Sequence, residues 1–140
     1  MSVVEKLLDT AAADLDLLAA NAAKSDRQGI SRDIDFLLIA PDREKAEVVS
    51  SFVADNRYGA ATIEPEPDST RWRVQVVVHA PATEQVVCSI SGLMTCLAEL
   101  FDLEYDGWGC VLQQERGSLT GDAAQPIAVA ADLVAAEASA

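Results

Sequence analysis

Leu97-Ala-Glu-Leu-Phe-Asp-Leu-Glu-Tyr-Asp-Gly-Trp-Gly-Cys110 carries an abrupt change of periodicity. Leu97, Leu100 and Phe101 recur at helical spacing, and Asp102 to Glu104 is long enough only for a connection. In Tyr105-Asp-Gly-Trp-Gly109 a helix interior is implausible, because each glycine costs a helix about 1 kcal/mol against alanine. A glycine inside a strand marks a bulge or a close backbone approach. The stretch therefore predicts a helix that ends near Phe101 and a bulged strand that starts near Tyr105. Trp108 is the expected core plug, with Tyr105 and Asp106 at the rim.

Working outward from this junction, Pro81-Ala-Thr83 opens the long helix, with Thr83 or a neighbour as its cap. Val86, Ile90, Leu93, Met94, Leu97, Leu100 and Phe101 form its expected buried face. Before it, Trp72, Val74, Val76 and Val78 alternate with Arg71, Arg73 and Gln75, which predicts a half-buried antiparallel strand. Pro65 to Thr70 is a turn, and Ala60 to Glu64 a short strand that completes a hairpin. Ile30 to Ala40 reads as a strand with Ile34, Phe36 and Leu38 on one face and Asp33, Asp35 and Leu37 on the other. Pro41-Asp42 stops it and starts a helix whose apolar face is Ala46, Val49, Phe52 and Val53. Arg57 and Gly59 supply that helix with a basic last turn and a stop. Val3, Val4, Leu7, Leu8, Ala11, Leu15, Leu18 and Ala22 predict an N-terminal amphipathic helix, which can pack on the body or on another copy. Ser25 to Gly29 reads as a linker.

The predicted order is helix, then strand-helix-strand-strand-helix-strand. That is the α+β, ferredoxin-like βαββαβ pattern: an antiparallel sheet with two helices on one face, plus an extra N-terminal helix. The expected organisation is an amphipathic helix over 1–24, the sandwich over 30–115, and a linker with an alanine-rich tail over 116–140. A short tail helix after Pro126 is marginal by itself.

Composition narrows the function. The chain has 140 residues and a net charge of −13. Nucleic-acid affinity rests on Lys and Arg neutralising phosphates, so direct nucleic-acid binding is not expected. Between Arg73 and Arg116 there is no Lys or Arg, while Glu84, Glu99, Asp102, Glu104, Asp106 and Glu115 fall inside. This half reads as an anionic field able to steer a basic partner, or simply as a solubilising surface. No apolar run approaches the roughly 20 residues of a membrane helix, and the start of the chain does not resemble a signal peptide. A cytoplasmic protein is expected.

Catalysis and metal binding find no support. Cys88 and Cys96 are two turns apart on a predicted helix, roughly 12 Å along its axis and beyond disulfide reach. With Cys110 they read as reduced, partly buried thiols. His79 is the single histidine, and no metal-ligand spacing accompanies it. Asp102, Glu104 and Asp106 are acidic, but they sit in a helix-to-strand connection, with no nearby histidine, nucleophile elbow or phosphate loop. No catalytic residue, metal ligand or cofactor is assigned.

The run Leu97 to Phe101 followed by Glu104-Tyr-Asp-Gly-Trp-Gly109 resembles the signature of the RraB family, regulators of ribonuclease E activity. The similarity extends more loosely back through Arg57-Tyr-Gly59 and Asp33-Ile-Asp-Phe-Leu-Leu-Ile39 to about Arg32. It implies a βαββαβ core and a non-enzymatic inhibitor that binds a ribonuclease E-type enzyme through that enzyme's basic, non-catalytic region. It also marks Glu104, Tyr105, Asp106, Gly107, Trp108 and Gly109 as candidate partner-binding residues. Members of the family tend to end in a strongly acidic tail, whereas this chain ends alanine-rich. A second reading, from fold class alone, is a small-molecule-sensing regulatory module. A basic partner predicts binding that weakens with salt; a small ligand predicts a saturable thermal shift with little salt dependence.

Overall fold

The computed structural model describes residues 1–114. The linker and tail read over 116–140, including the helix expected after Pro126, lie outside them. Helix α1 (Val3–Ala23) is followed by β1 (Ser31–Ala40), α2 (Arg43–Asp55), β2 (Ala60–Pro65), β3 (Trp72–Pro81), α3 (Glu84–Phe101) and β4 (Glu104–Cys110). The fold is α+β: one open antiparallel sheet of four strands, ordered β2-β3-β1-β4, with three helices.

Local chemistry explains the element ends. Ser2 and Glu5 form a reciprocal capping box at α1, Asp42 caps α2 by accepting from the Lys45 N–H, and Thr83 caps α3 by accepting from the Val86 N–H. The end of α2 differs from the sequence expectation. Its last turn contains no basic residue, and Arg57, not Gly59, takes the left-handed backbone at φ 58°. Gly59 is needed for a different reason. A Cβ there would meet Val76 Cγ1 at 2.8 Å and the Val77 carbonyl oxygen at 2.9 Å, so β3 approaches too closely for a side chain.

The core lies on one face of the sheet. Ile34, Phe36 and Leu38 of β1, Val74 and Val76 of β3, and Trp108 and Cys110 of β4 meet Ala46, Val49 and Val53 of α2 and Val87, Met94 and Leu97 of α3. Phe52 and Phe101 join α2 to α3 with ring centroids 5.3 Å apart. Helix α1 packs against α3 and adds Leu18 to the core. Among the described residues no helix covers the other face, where Asp33, Asp35, Leu37 and Ile39 alternate with the core positions.

Both flanking helices are turned relative to the expected faces. In α1 the buried residues are Asp14, Leu18 and Asn21, whereas Val4, Leu8 and Leu15 stay exposed. In α3 they are Val87, Ser91, Met94, Thr95, Leu97 and Ala98, and Leu100 is exposed. The reason is that α3 is covered on two sides, by the sheet and by α1. The second contact is built from small and polar groups: Gly92 faces Leu7, and Thr95 donates to Thr10 at 3.4 Å. By length and composition α3 is apolar enough to cross a membrane, which corrects the expectation that no segment reaches that threshold. Its apolarity serves these two contacts.

The segment read as a linker is pinned. Arg32 is buried on the inward face of β1, and its Nη1 pairs with the buried Asp26 carboxylate at 2.6 Å. The same Asp26 oxygen accepts from the Gln113 N–H at 2.8 Å, while Arg32 Nη2 donates to the carbonyls of Arg27 and Ile30. One ion pair thus joins the loop after α1, the start of β1 and the segment after β4.

Candidate functional site: strand β4 and the polar cluster beneath α1

Strand β4 owes its geometry to one extra residue. Phe36 pairs with Trp108, Leu37 with Gly107 and Leu38 with Tyr105, so Asp106 is unmatched and the register shifts between Leu37 and Leu38. Gly107 has φ 109°, a backbone that side-chain-bearing residues rarely adopt. A regular strand would send positions 105 and 108 to opposite faces. The bulge brings Tyr105 and Trp108 onto the same face, towards the helices.

Tyr105 and Trp108 then complete a polar cluster. The Tyr105 hydroxyl shares a 2.7 Å hydrogen bond with Ser91 Oγ, and the Trp108 indole N–H donates to Asp14 Oδ1 at 2.9 Å. Trp108 is 1% exposed and Asp14 3% exposed. Burial pushes the Asp14 carboxyl up to about 6; Ser91 and Trp108 act in the opposite direction. The second Asp14 oxygen makes no hydrogen bond in the geometry found, although Ser91 is near enough to favour the ionised form. Burial also raises the Tyr105 phenol, which stays protonated.

Glu104 and Asp106 lie on the open face. Glu104 pairs in register with Ile39, and its carboxylate is 3.7 Å from Arg71. Burial and the neighbouring Glu104 raise the Asp106 carboxyl, while Arg73 and Arg71 draw it down. Glu66 holds Arg71 at 2.6 Å and Glu64 lies 4.0 Å from Arg73. The open-face site is a mixed cluster, with Arg71 and Arg73 of the β2–β3 hairpin set among four acids.

The six candidate residues are therefore divided. Tyr105 and Trp108 spend their side chains inside, Gly107 and Gly109 form buried backbone, and Glu104 and Asp106 remain at the open face. The anionic half of the sequence is also less bare than its order suggests. Lys6 reaches Glu99 at 2.7 Å, Lys45 reaches Asp102 at 3.1 Å, and Arg71 reaches Glu104. Every one of these cations lies earlier in the chain.

Asp14 and Ser91 were not singled out from the sequence, yet a signal existed for Asp14. It falls in helical phase with Leu7 and Leu18, where an acid in a packing face requires a partner. Burial raises both the Cys88 and the Cys110 thiol, so neither is activated. His79 is exposed, with Nδ1 2.9 Å from Asp33. Among the described residues no group of three or more His, Cys, Asp or Glu side chains is placed to hold a metal.

No curated protein matches the chain. A family model described as "Regulator of ribonuclease activity B" matches residues 11–110, from the middle of α1 to the last residue of β4. That span contains the bulge, both tyrosines, both tryptophans and the whole sheet, and the chain belongs to the RraB family.

Proposed function

We propose that this protein binds a ribonuclease E-type endoribonuclease and restrains its RNA cleavage, acting as a stoichiometric regulator with no catalysis of its own. Family membership supports the regulatory role, and the observation that carries the surface is the position of Glu104 and Asp106. They stand on the face of the sheet that no described helix covers, while their neighbours Tyr105 and Trp108 are committed to the interior. An acidic cluster on an open face suits a basic, RNA-binding segment of the enzyme, since complementary charge raises encounter rates. Arg71 and Arg73 within the cluster give it register as well as charge, because a partner must present acceptors beside its own cations. On this reading the protein acts in the cytoplasm, where such an enzyme meets its RNA. The finer fold assignment, a ferredoxin-like sandwich, belongs to the same proposal. It is supported by the sheet order, in which β3 separates β1 from β2 and β1 separates β3 from β4.

The test is inhibition of RNA cleavage by the wild type and by a Glu104→Gln, Asp106→Asn double variant. Each is assayed against the full-length ribonuclease and against its isolated catalytic half. The wild type is expected to inhibit the full-length enzyme, and the double variant to inhibit less, mainly through slower association. Equal inhibition by the two proteins would remove the acidic cluster from the mechanism. No inhibition by the wild type would remove the function.

A further inference from the structure

Asp14 lines a cleft of about 130 Å³ together with Asp9, Thr10, Ala13, Tyr105 and Gly107. Asp9, Thr10 and Tyr105 also line a neighbouring cleft of about 270 Å³, which continues past Thr95, Glu99 and Glu104. The two adjoin through these shared residues and make a groove between α1 and β4. Two features suggest what it accommodates. The first is the second Asp14 oxygen, which is buried, accepts no hydrogen bond and belongs to a residue only 3% exposed. The second is the wall charge: Asp9, Asp14, Glu99 and Glu104 against Lys6, which is engaged with Glu99 at 2.7 Å.

An anion would be repelled here, and an apolar guest would leave the carboxylate oxygen unpaired. A divalent metal would need several converging ligands, and among the described residues no such group exists. A primary ammonium carries the right charge on a narrow alkyl stem. It offers three donors, for which Asp14 and the Thr10 hydroxyl are acceptors.

We propose that the groove between α1 and β4 binds a primary ammonium group, with Asp14 as its buried anionic acceptor. The ammonium can come from a free alkylamine or from a lysine side chain of a protein partner. The inference does not depend on the ribonuclease reading, because Asp14, Asp9, Thr10 and Tyr105 lie on the helix side of the sheet, and only Glu104, on the edge strand, borders both the groove and the open-face cluster.

The site is linked to pH. A bound cation favours the ionised carboxylate, so binding displaces the proton that burial places on Asp14 with a pKa of about 6. The other titratable groups that face it are Lys6 and Asp9 from α1, Cys88 and Glu99 from α3, and Glu104 and Tyr105 from β4. Burial raises Cys88 and Tyr105, which stay neutral. Affinity should be roughly tenfold weaker at pH 5 than at pH 7.5.

The chain contains two tryptophans, so the Trp108 indole N–H can be followed directly by NMR in the full-length ¹⁵N-labelled protein, with Trp72 as an internal control. The probes are n-propylammonium chloride and Nα-acetyl-lysine methylamide, each compared with sodium chloride at equal ionic strength. A saturable shift of Trp108, absent with sodium and roughly tenfold weaker at pH 5, is expected. Saturation by the alkylamine alone identifies a free amine as the guest; equal or tighter saturation by the lysine derivative identifies a protein side chain. Asp14→Asn should abolish the shift. Ala13→Leu, at an exposed position on the groove wall, should weaken it at least tenfold without altering the charge. No saturable shift with either probe, a shift reproduced by sodium, or one unchanged in both variants would overturn the proposal.

Discussion

Asp14 is the residue at which structure and energetics are most tightly joined. Its folded carboxyl titrates at about 6 against an ordinary 3.8. The native state therefore holds the proton more tightly than the unfolded chain. The resulting penalty is absent below about pH 4, grows as pH rises towards 6, and is complete above it. Two pKa units correspond to about 3 kcal/mol. Asp14→Asn keeps an acceptor for Trp108 and removes the charge. It should stabilise the protein above pH 7 by up to about 3 kcal/mol and by little at pH 4, as read from urea melts of both proteins across that range. Trp108→Ala should act in the opposite direction, costing about 3–5 kcal/mol through the lost core volume and the unpaired Asp14. Arg32→Met leaves the Asp26 carboxylate buried without its cation. A loss of about 3–5 kcal/mol is expected by the same melts, because breaking one side of a buried pair exposes its full desolvation cost.

At the scale of elements, two close approaches position the sheet. One is the entry to β2, where Gly59 lies under the Val76 side chain and the Val77 carbonyl. Gly59→Ala must displace backbone as well as a methyl group, so a loss of about 1–3 kcal/mol is expected. Gly29→Ala is the control, since a Cβ there meets nothing within 4 Å; its thermal midpoint should match or exceed that of the wild type. The other is the β4 bulge. Gly107→Ala forces a side chain onto a φ of 109°, and the strand can relieve this by restoring a regular register. That would turn Tyr105 away from Ser91. Loss of hydrogen-exchange protection along β4, but not along β3, is the expected signature.

For the whole molecule, the distribution of charge matters more than its sum. The total of −13 predicts solubility and repulsion of nucleic acid, but the cations are not spread evenly in space. Lys6, Lys45 and Arg71 are drawn to acids of the C-terminal half. The surface proposed for the partner is local: the open-face cluster around Glu104 and Asp106, with Arg71 and Arg73 inside it. Binding through it should weaken as the Debye length shrinks from about 10 Å at 0.1 M salt to about 3 Å at 1 M, measured as a fall in association rate. The buried Asp14 cluster is shielded from that screening, so protein stability should change little over the same range.

The elements themselves were legible in the chain because their signals are local. Alternation over Trp72, Val74 and Val76, the turn at Pro65, the Thr83 cap and the glycines around Trp108 each act within a few residues. They were enough to place every strand and helix of the described residues in order and to foresee a bulged β4 with Trp108 inside. Which side of α1 is buried was decided by α3 and β4. Asp14 shares a helical phase with Leu7 and Leu18, but nothing local decides whether that flank or the one carrying Val4, Leu8 and Leu15 is buried. The partner that permits it, Trp108, lies 94 residues away. The same holds for Arg32, whose inward phase on β1 is visible in the sequence but whose partner Asp26 lies in an apparent linker. It holds too for the cations that meet the acids of the C-terminal half. Period and propensity are properties of neighbours along the chain. Desolvation and ion pairing depend on what folding places across a gap of a few ångströms, and only the assembled structure decides that.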